Sequence, residues 1–215
     1  MRISVPRTAR YATLGSLSDA TRQVWIVCHG YGQLAEDFIR YVSILDDGTR
    51  YIVAPEALSR FYVKGGSGKV GASWMTREDR ENEIQDYVRY LDTLYDDVFR
   101  RAERRSVSLH VLGFSQGVAT AARWAALGKG HPDHLVLWAE FLPPEFDPQS
   151  AKPLRDLHVT SVYGVNDEYL QPGAVESHTE RLQGLGLTFD VVAFDGGHRM
   201  DKETLLRIAQ GRSSR

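Results

Sequence analysis

The sequence predicts an α/β protein: a three-layer α/β/α arrangement with a mostly parallel, twisted sheet and helices on both faces. Apolar runs of strand length alternate along the chain with amphipathic runs of helical length. The strand-length runs are almost continuously apolar, as expected for parallel strands buried on both faces. Two long irregular segments follow predicted strands, where a wound sheet places its ligand crevice.

The predicted strands are short β-rich runs, several of which end at a glycine or a proline. They cover residues 23–30, 50–57, 107–112, 134–138, 158–163 and 187–194. At the N-terminus, the runs "RISV" and "RYATLG" predict an antiparallel hairpin that adds an edge strand to the sheet.

The predicted helices lie between these strands. They cover residues 35–45, 82–104, 117–127, 173–183 and about 201–210. The clearest is 82–104, where apolar residues recur at three- and four-residue spacing. Its stripe consists of Ile84, Tyr87, Val88, Leu91, Leu94, Tyr95, Val98, Phe99 and Ala102.

The composition is that of an ordinary globular protein, and we expect one domain covering residues 1–215. Of the 215 residues, 42% are hydrophobic and 25% are charged. A net charge of −2 provides no basic field for nucleic acid. We see no secretory signal and no run of about 20 apolar residues that would span a membrane. With Cys28 as the one cysteine, we expect a cytoplasmic protein.

The stretch "GFSQG" places Ser115 between Gly113 and Gly117, where a predicted strand turns into a predicted helix. A serine at such a turn projects above the sheet edge, and flanking glycines remove side chains that would collide there. We therefore interpret Ser115 as a nucleophile. The alternative is a serine that only caps the helix.

A nucleophilic serine needs a base and an acid that orients the base. Where the serine lies at such a strand–helix turn of a wound sheet, the chain order is serine, acid, histidine. His198 lies after a strand and two glycines, on a loop before the last helix, and we expect it to be the base. Asp167 follows the strand 158–163 and is the preferred acid. Glu168 is the alternative, and Glu140 a weaker one.

An oxyanion hole requires two N–H donors where negative charge develops. We expect one to be the backbone N–H of Gln116, directly after the serine. The other is expected from Tyr31, in the "HGYG" loop that directly follows the strand residues 24–28. His29, in the same loop, is expected to make structural hydrogen bonds.

The motifs "CHGYGQ", "APEA", "SWM", "GFSQGVATA", "YGVNDEY" and "FDGGHRM" occur in one order along nearly the whole chain. Together they resemble the α/β-hydrolase fold. Within it they resemble the small carboxylesterase/phospholipase family, which includes acyl-protein thioesterases and lysophospholipases. The resemblance implies a fold with a minimal cap and cofactor-free, metal-free hydrolysis of esters or thioesters. It also implies a triad of Ser115, Asp167 and His198, with Tyr31 and Gln116 at the oxyanion hole.

The sequence departs from this family in two places. Ala139-Glu140 replaces the usual Ser-Gly, and the segment 58–75 is rich in glycine rather than apolar. We expect the irregular segments 58–75 and 141–156 to form the pocket walls. The expected substrate contacts are Trp74, Glu140, Phe141 and Leu142. The alternative for the aromatic residues is that they only pack the rim.

The sequence therefore predicts a serine hydrolase with a small-molecule ester or thioester substrate. A hydrolase-fold acyltransferase and a non-catalytic protein that binds a small ligand are the alternatives. The sequence leaves open the acyl-chain length, the oligomeric state and the natural substrate.

Overall fold

The computed structural model describes residues 3–100 and 103–211. The strands are β1 Tyr11–Leu14, β2 Gln23–Cys28, β3 Arg50–Pro55, β4 Ser59–Tyr62, β5 Val70–Ser73, β6 Ser108–Phe114, β7 His134–Trp138, β8 His158–Gly164 and β9 Thr188–Phe194. The α-helices are α1 Ala35–Phe38, α2 Arg80–Phe99, α3 Gln116–Leu127, α4 Ala174–Gly184 and α5 Lys202–Ala209. Short 3₁₀ helices cover Ile39–Leu45, Arg104–Ser106 and Lys152–Leu154.

Seven strands form one sheet in the order β1-β3-β2-β6-β7-β8-β9. Strand β1 pairs antiparallel with β3, and the other neighbouring strands pair in parallel. The predicted mixed α/β class and the antiparallel edge strand are therefore confirmed. Strands β4 and β5 form a separate antiparallel hairpin.

Side chains of alternating residues in β2 show how the layers form. Val24 and Ile26 belong to an apolar cluster that contains the buried faces of α2, α3 and α4. Trp25 and Val27 point to the opposite face and pack in a second cluster with α1 and α5. Because both faces of the central strands are covered, their sequences are apolar throughout. None of the helices in the described ranges is long and apolar enough to cross a membrane.

The longest helix differs from its prediction at its C-terminal end. The predicted stripe faces the core, since Ile84, Tyr87, Leu91, Leu94 and Val98 are buried. The helix spans Arg80–Phe99 rather than 82–104, and residues 104–106 form a separate 3₁₀ turn. The predicted helical residues 101 and 102, with Ala102 of the stripe, lie outside the described residues.

Three other predictions need correction. The helix predicted at 35–45 is α-helical only to Phe38 and continues as a 3₁₀ helix, a distinction that apolar spacing over so short a segment does not make. Segment 58–75 is not irregular, because it contains the β4–β5 hairpin.

The hairpin predicted between "RISV" and "RYATLG" is wrong. Residues 3–10 contain no strand, and β1 pairs with β3 instead. Pro6 has no N–H to donate to a strand ladder, which disfavours pairing in this segment.

Candidate active site

The parallel strands end at one edge of the sheet, and the candidate residues follow these ends. Ser115 follows β6, Asp167 follows β8 and His198 follows β9. Tyr31 comes after β2, and Glu140 after β7. The topology thus brings residues that are more than 160 positions apart to the same edge of the sheet.

Ser115 lies at the junction of β6 and α3 with φ 52° and ψ −122°. This positive φ is unfavourable for a residue with a side chain, and such strain is concentrated at functional sites. The backbone is held on both sides: the Ser115 N–H donates to the Trp138 carbonyl at 2.8 Å, and the Ser115 carbonyl accepts from the Val118 N–H at 2.8 Å.

The flanking glycines are required by close backbone packing. A Cβ on Gly113 would overlap the carbonyl of Gly117, and one on Gly117 would overlap the carbonyl of Cys28. The turn can therefore form only where both positions lack a side chain.

His198 is held by a buried carboxylate. Its Nδ1 lies 2.9 Å from Oδ2 of Asp167, whose side chain is fully buried. Because a carboxylate oxygen accepts, the ring donates its Nδ1–H, which leaves Nε2 as the basic nitrogen. Glu168 instead accepts from the backbone N–H of His198 at 3.4 Å. Of the three acids considered from the sequence, Asp167 is the one bonded to the imidazole.

The imidazole lies beside the serine turn. Its ring centroid is 5.2 Å from that of Phe114, the residue before Ser115. The Ser115 hydroxyl does not cap α3 and forms no hydrogen bond with another residue in ranges 3–100 and 103–211. Hydrogen bonds between a nucleophile and its base are often long without substrate and shorten when it binds.

The two expected oxyanion donors are unused within the described part of the chain. Neither the Tyr31 N–H nor the Gln116 N–H donates to another described residue. The Gln116 N–H is at the first position of α3, where backbone N–H groups have no partner inside the helix. Both groups are therefore available to a ligand oxygen.

Buried polar contacts hold the Tyr31 loop in place. His29 is fully buried, and burial lowers its pKa, so that it stays neutral. Its Nε2 accepts from the Ala57 N–H at 3.1 Å, so its Nδ1–H donates to the Gly30 carbonyl at 2.7 Å. The indole N–H of Trp74 donates to the His29 carbonyl at 2.8 Å.

The Gln116 side chain has a second role that sequence reasoning did not anticipate. Its Oε1 accepts from the Trp74 N–H at 3.1 Å, and its Nε2 donates to the Met75 carbonyl at 2.9 Å. The start of α3 is thereby fixed to the segment that follows β5.

The four predicted substrate contacts differ in accessibility. Trp74 is 3% exposed and Leu142 is 2% exposed, so both present little surface. Phe141 packs on the ring of His178 at 4.5 Å. Glu140 is exposed, and its carboxylate accepts from the Phe141 N–H at 2.9 Å. Their contact with substrate stays a prediction.

Comparison with known proteins supports the fold. No family model matches the sequence, and no curated protein matches it. Solved structures do match: acyl-protein thioesterase 2 of Zea mays has 18% identity and a TM-score of 0.70, over 95% of this chain and 97% of that one. The Bacillus cereus carboxylesterase has 14% identity and a TM-score of 0.68, over 95% and 93%. A carboxylesterase from Mesorhizobium loti has 18% identity and a TM-score of 0.68, over 94% and 93%.

At these identities the likeness concerns the fold. The chain has the α/β-hydrolase fold that the sequence resemblance implied. A fold of this kind carries many activities, so function has to be argued from the site.

Proposed function

We propose that this protein is a serine hydrolase that cleaves carboxylic esters through an acyl-enzyme on Ser115. The observation that carries the proposal is the serine at a strained strand–helix turn, beside a histidine whose Nδ1 is bonded to the buried Asp167. The names of the matching structures, carboxylesterases and an acyl-protein thioesterase, support the same class of reaction.

In the first half of the reaction, Oγ of Ser115 attacks the carbonyl carbon while Nε2 of His198 takes the hydroxyl proton. The carbonyl oxygen becomes an oxyanion, which the N–H groups of Tyr31 and Gln116 stabilise. Asp167 stabilises the imidazolium without being protonated itself. When the intermediate collapses, His198 returns the proton to the departing alcohol or thiol and the acyl group stays on Ser115.

In the second half, water replaces the leaving group. The oxygen of the water attacks the acyl carbon while Nε2 of His198 removes a proton from the water. The new intermediate expels Oγ of Ser115, which regains the proton from His198. The product is a free carboxylic acid, and the enzyme returns to its starting state.

The test is a panel of p-nitrophenyl esters of increasing chain length, assayed beside an acyl thioester and a lysophospholipid. We expect Ser115→Ala to lower kcat by about 10⁴-fold or more. The matched control is Ser177→Ala, an exposed serine on α4, which should retain activity. A fluorophosphonate probe should label Ser115 alone. Undiminished turnover in Ser115→Ala, or labelling at another residue, would refute the proposal.

A further inference from the structure

One turn of chain, residues 167–169, contacts His198 in three ways. Asp167 accepts from the imidazole Nδ1–H at 2.9 Å, and Glu168 accepts from the backbone N–H at 3.4 Å. The ring of Tyr169 stands edge-to-face with the imidazole, at 4.7 Å between centroids and 75° between planes. The sequence marks the first two residues as candidate acids and gives Tyr169 no role.

The same carboxylate also fixes Tyr169. While Oδ2 of Asp167 bonds to His198, its Oδ1 accepts from the Tyr169 N–H at 3.0 Å. The Leu170 N–H donates to the Asp167 carbonyl at 3.1 Å, which closes the turn. The position of the tyrosine relative to the histidine is therefore set by the backbone and not only by side-chain packing.

The two loops that carry these residues are joined along their length. The Val165 N–H donates to the Phe194 carbonyl at 3.0 Å, and the Asn166 N–H donates to the Gly196 carbonyl at 2.9 Å. A Cβ on Gly164 would overlap the Gly196 carbonyl, so the backbones are in direct contact. The Tyr169 ring thus reaches His198 from a rigid base.

A single hydrogen bond through Nδ1 does not prevent the imidazole from rotating about the line that joins Nδ1 to the carboxylate. Tyr169 limits this rotation from one direction, and the Phe114 ring lies 5.2 Å from the imidazole as a second neighbour. The orientation of Nε2 toward Ser115 depends on this rotation.

We propose that Tyr169 is a positioning residue that fixes the plane of the His198 imidazole so that Nε2 is directed at the Ser115 hydroxyl. The inference rests on the proposed esterase function. Tyr169 is 70% exposed, so its ring adds little to the core, yet the ring stands edge-to-face with the imidazole. Aromatic pairs of this geometry contribute enough to change an activity by roughly two- to tenfold.

The kinetic test uses p-nitrophenyl acetate, a substrate too small to need an extended pocket. We expect Tyr169→Leu to lower kcat roughly two- to tenfold at an unchanged KM, because a misdirected base affects the chemical step. Tyr169→Phe keeps the ring and should retain the kcat of the unmodified protein. Tyr41→Leu, an exposed tyrosine outside the site, is the matched control and should behave as the unmodified protein.

A structural test does not depend on turnover. The ring current of Tyr169 shifts the imidazole proton resonances of His198, which are assigned by comparison with His198→Gln. We expect these shifts to change in Tyr169→Leu and to persist in Tyr169→Phe, with unfolding curves confirming that both variants are folded.

The outcomes separate this inference from the proposed function. If the unmodified protein hydrolyses no ester, the proposed function fails, and the resonance shifts alone decide the placement of the ring. If esters are hydrolysed but Tyr169→Leu raises KM at constant kcat, Tyr169 contacts substrate and the positioning role is overturned. Unchanged kinetics or unchanged His198 resonances in Tyr169→Leu would overturn it as well.

Discussion

Several residues at this site each make more than one structural contact. Asp167 orients His198 through one oxygen and holds the Tyr169 backbone through the other. Gln116 offers its backbone N–H at the start of α3 while its side chain fixes the segment after β5. His29 uses both ring nitrogens to shape the loop that carries Tyr31. Replacing one of these side chains therefore disturbs more than one contact.

The choice between Asp167 and Glu168 as the acid is testable by amide substitution. Asp167→Asn preserves the shape but lets an amide N–H face Nδ1, which favours the wrong histidine tautomer. We expect kcat for p-nitrophenyl acetate to fall about 10⁴-fold. Glu168→Gln, the matched control, should keep nearly full activity, because Glu168 contacts the His198 backbone rather than its ring. A larger loss in Glu168→Gln than in Asp167→Asn would reverse the assignment.

At the scale of secondary-structure elements, the site depends on how closely α3 approaches the end of β2. Gly117, in the first turn of α3, lies against the carbonyls of Cys28 and His29. These are backbone atoms of a buried strand end and the adjoining loop, and they cannot move aside as a flexible side chain would.

We therefore expect Gly117→Ala to destabilise the protein. The added methyl group would force α3 away from β2, at about 1–3 kcal/mol for overpacking. Thermal unfolding measures this as a fall in Tm of roughly 2–4 °C per kcal/mol. Activity should fall as well, because the Gln116 N–H moves with the helix.

The matched control for this substitution is Gly184→Ala in α4. A Cβ at Gly184 meets no atom within 4 Å, so the substitution should be neutral or stabilise by about 0.4–1 kcal/mol. Equal Tm values for the two variants would contradict the steric account of the serine turn.

The sequence predicts best those elements that are specified by residues close together along the chain. The apolar run before Ser115 and the small residues after it predict β6 and α3 within a few positions. The order serine, acid, histidine favours His198 as the base, and the position of Asp167 just past a strand end favours it over Glu168 and Glu140 as the acid. The contact between these two residues was an inference from topology, and their geometry agrees with it.

The β4–β5 hairpin was not predictable in this way. Its strands have four residues each, and β5 contains a glycine. Its position depends on non-local contacts: the Gly32 N–H donates to the Ala72 carbonyl, and the Ala72 N–H donates to the Gln33 carbonyl. The burial of Trp74 follows from the same contacts and had no local signal.

Viewed as a whole, the molecule has a second polar region at the opposite edge of the sheet. A cavity of about 820 Å³ opens at the amino-terminal ends of the strands. Its lining includes His110, His134 and His158, which occupy paired positions on β6, β7 and β8. Adjacent rings are 5.3 Å and 5.1 Å apart, so the three histidines form a ladder across the sheet.

His110 and His134 are the two buried histidines of this ladder, and they have little capacity for an added proton. Nδ1 of His110 faces Nδ1 of His134 at 3.2 Å, where only one proton fits between the two nitrogens. Nε2 of His134 is 2.8 Å from the Thr160 hydroxyl, and Nε2 of His110 is buried without a hydrogen-bond partner among the described residues. Trp25 stacks on the other side of His110 at 4.4 Å.

The surrounding charges do not offset the free-energy cost of protonating these buried histidines. Burial lowers the pKa of His110 to about 4, with Arg50 and Arg104 acting in the same direction and Asp133 opposing them. Burial lowers the pKa of His134 to about 3, together with His110 and His158, while Asp190 opposes. An unfolded histidine has a pKa near 6.5.

The sign of the pH dependence follows from these values. Between about pH 6.5 and pH 4 the unfolded chain binds more protons than the folded chain. The contribution of these histidines to the free energy of unfolding is therefore fully present above pH 6.5 and is lost as the pH falls. Each histidine contributes a slope of up to about 1.4 kcal/mol per pH unit in this window. His178, with its pKa lowered by burial to about 4, and the buried His29 add to the same slope.

We expect the free energy of unfolding, measured by urea titration at several pH values, to fall steeply between pH 6.5 and pH 4. The double variant His110→Phe/His134→Leu removes both partners of the Nδ1 contact, so neither nitrogen of that pair is left alone. The buried Thr160 hydroxyl loses its contact with His134, which lowers stability at every pH without changing the pH slope. Its slope should be shallower, with the contributions of His29 and His178 remaining. The exposed His131→Asn is the control and should keep the full slope. An unchanged slope in the double variant would show that the acid sensitivity arises elsewhere in the molecule.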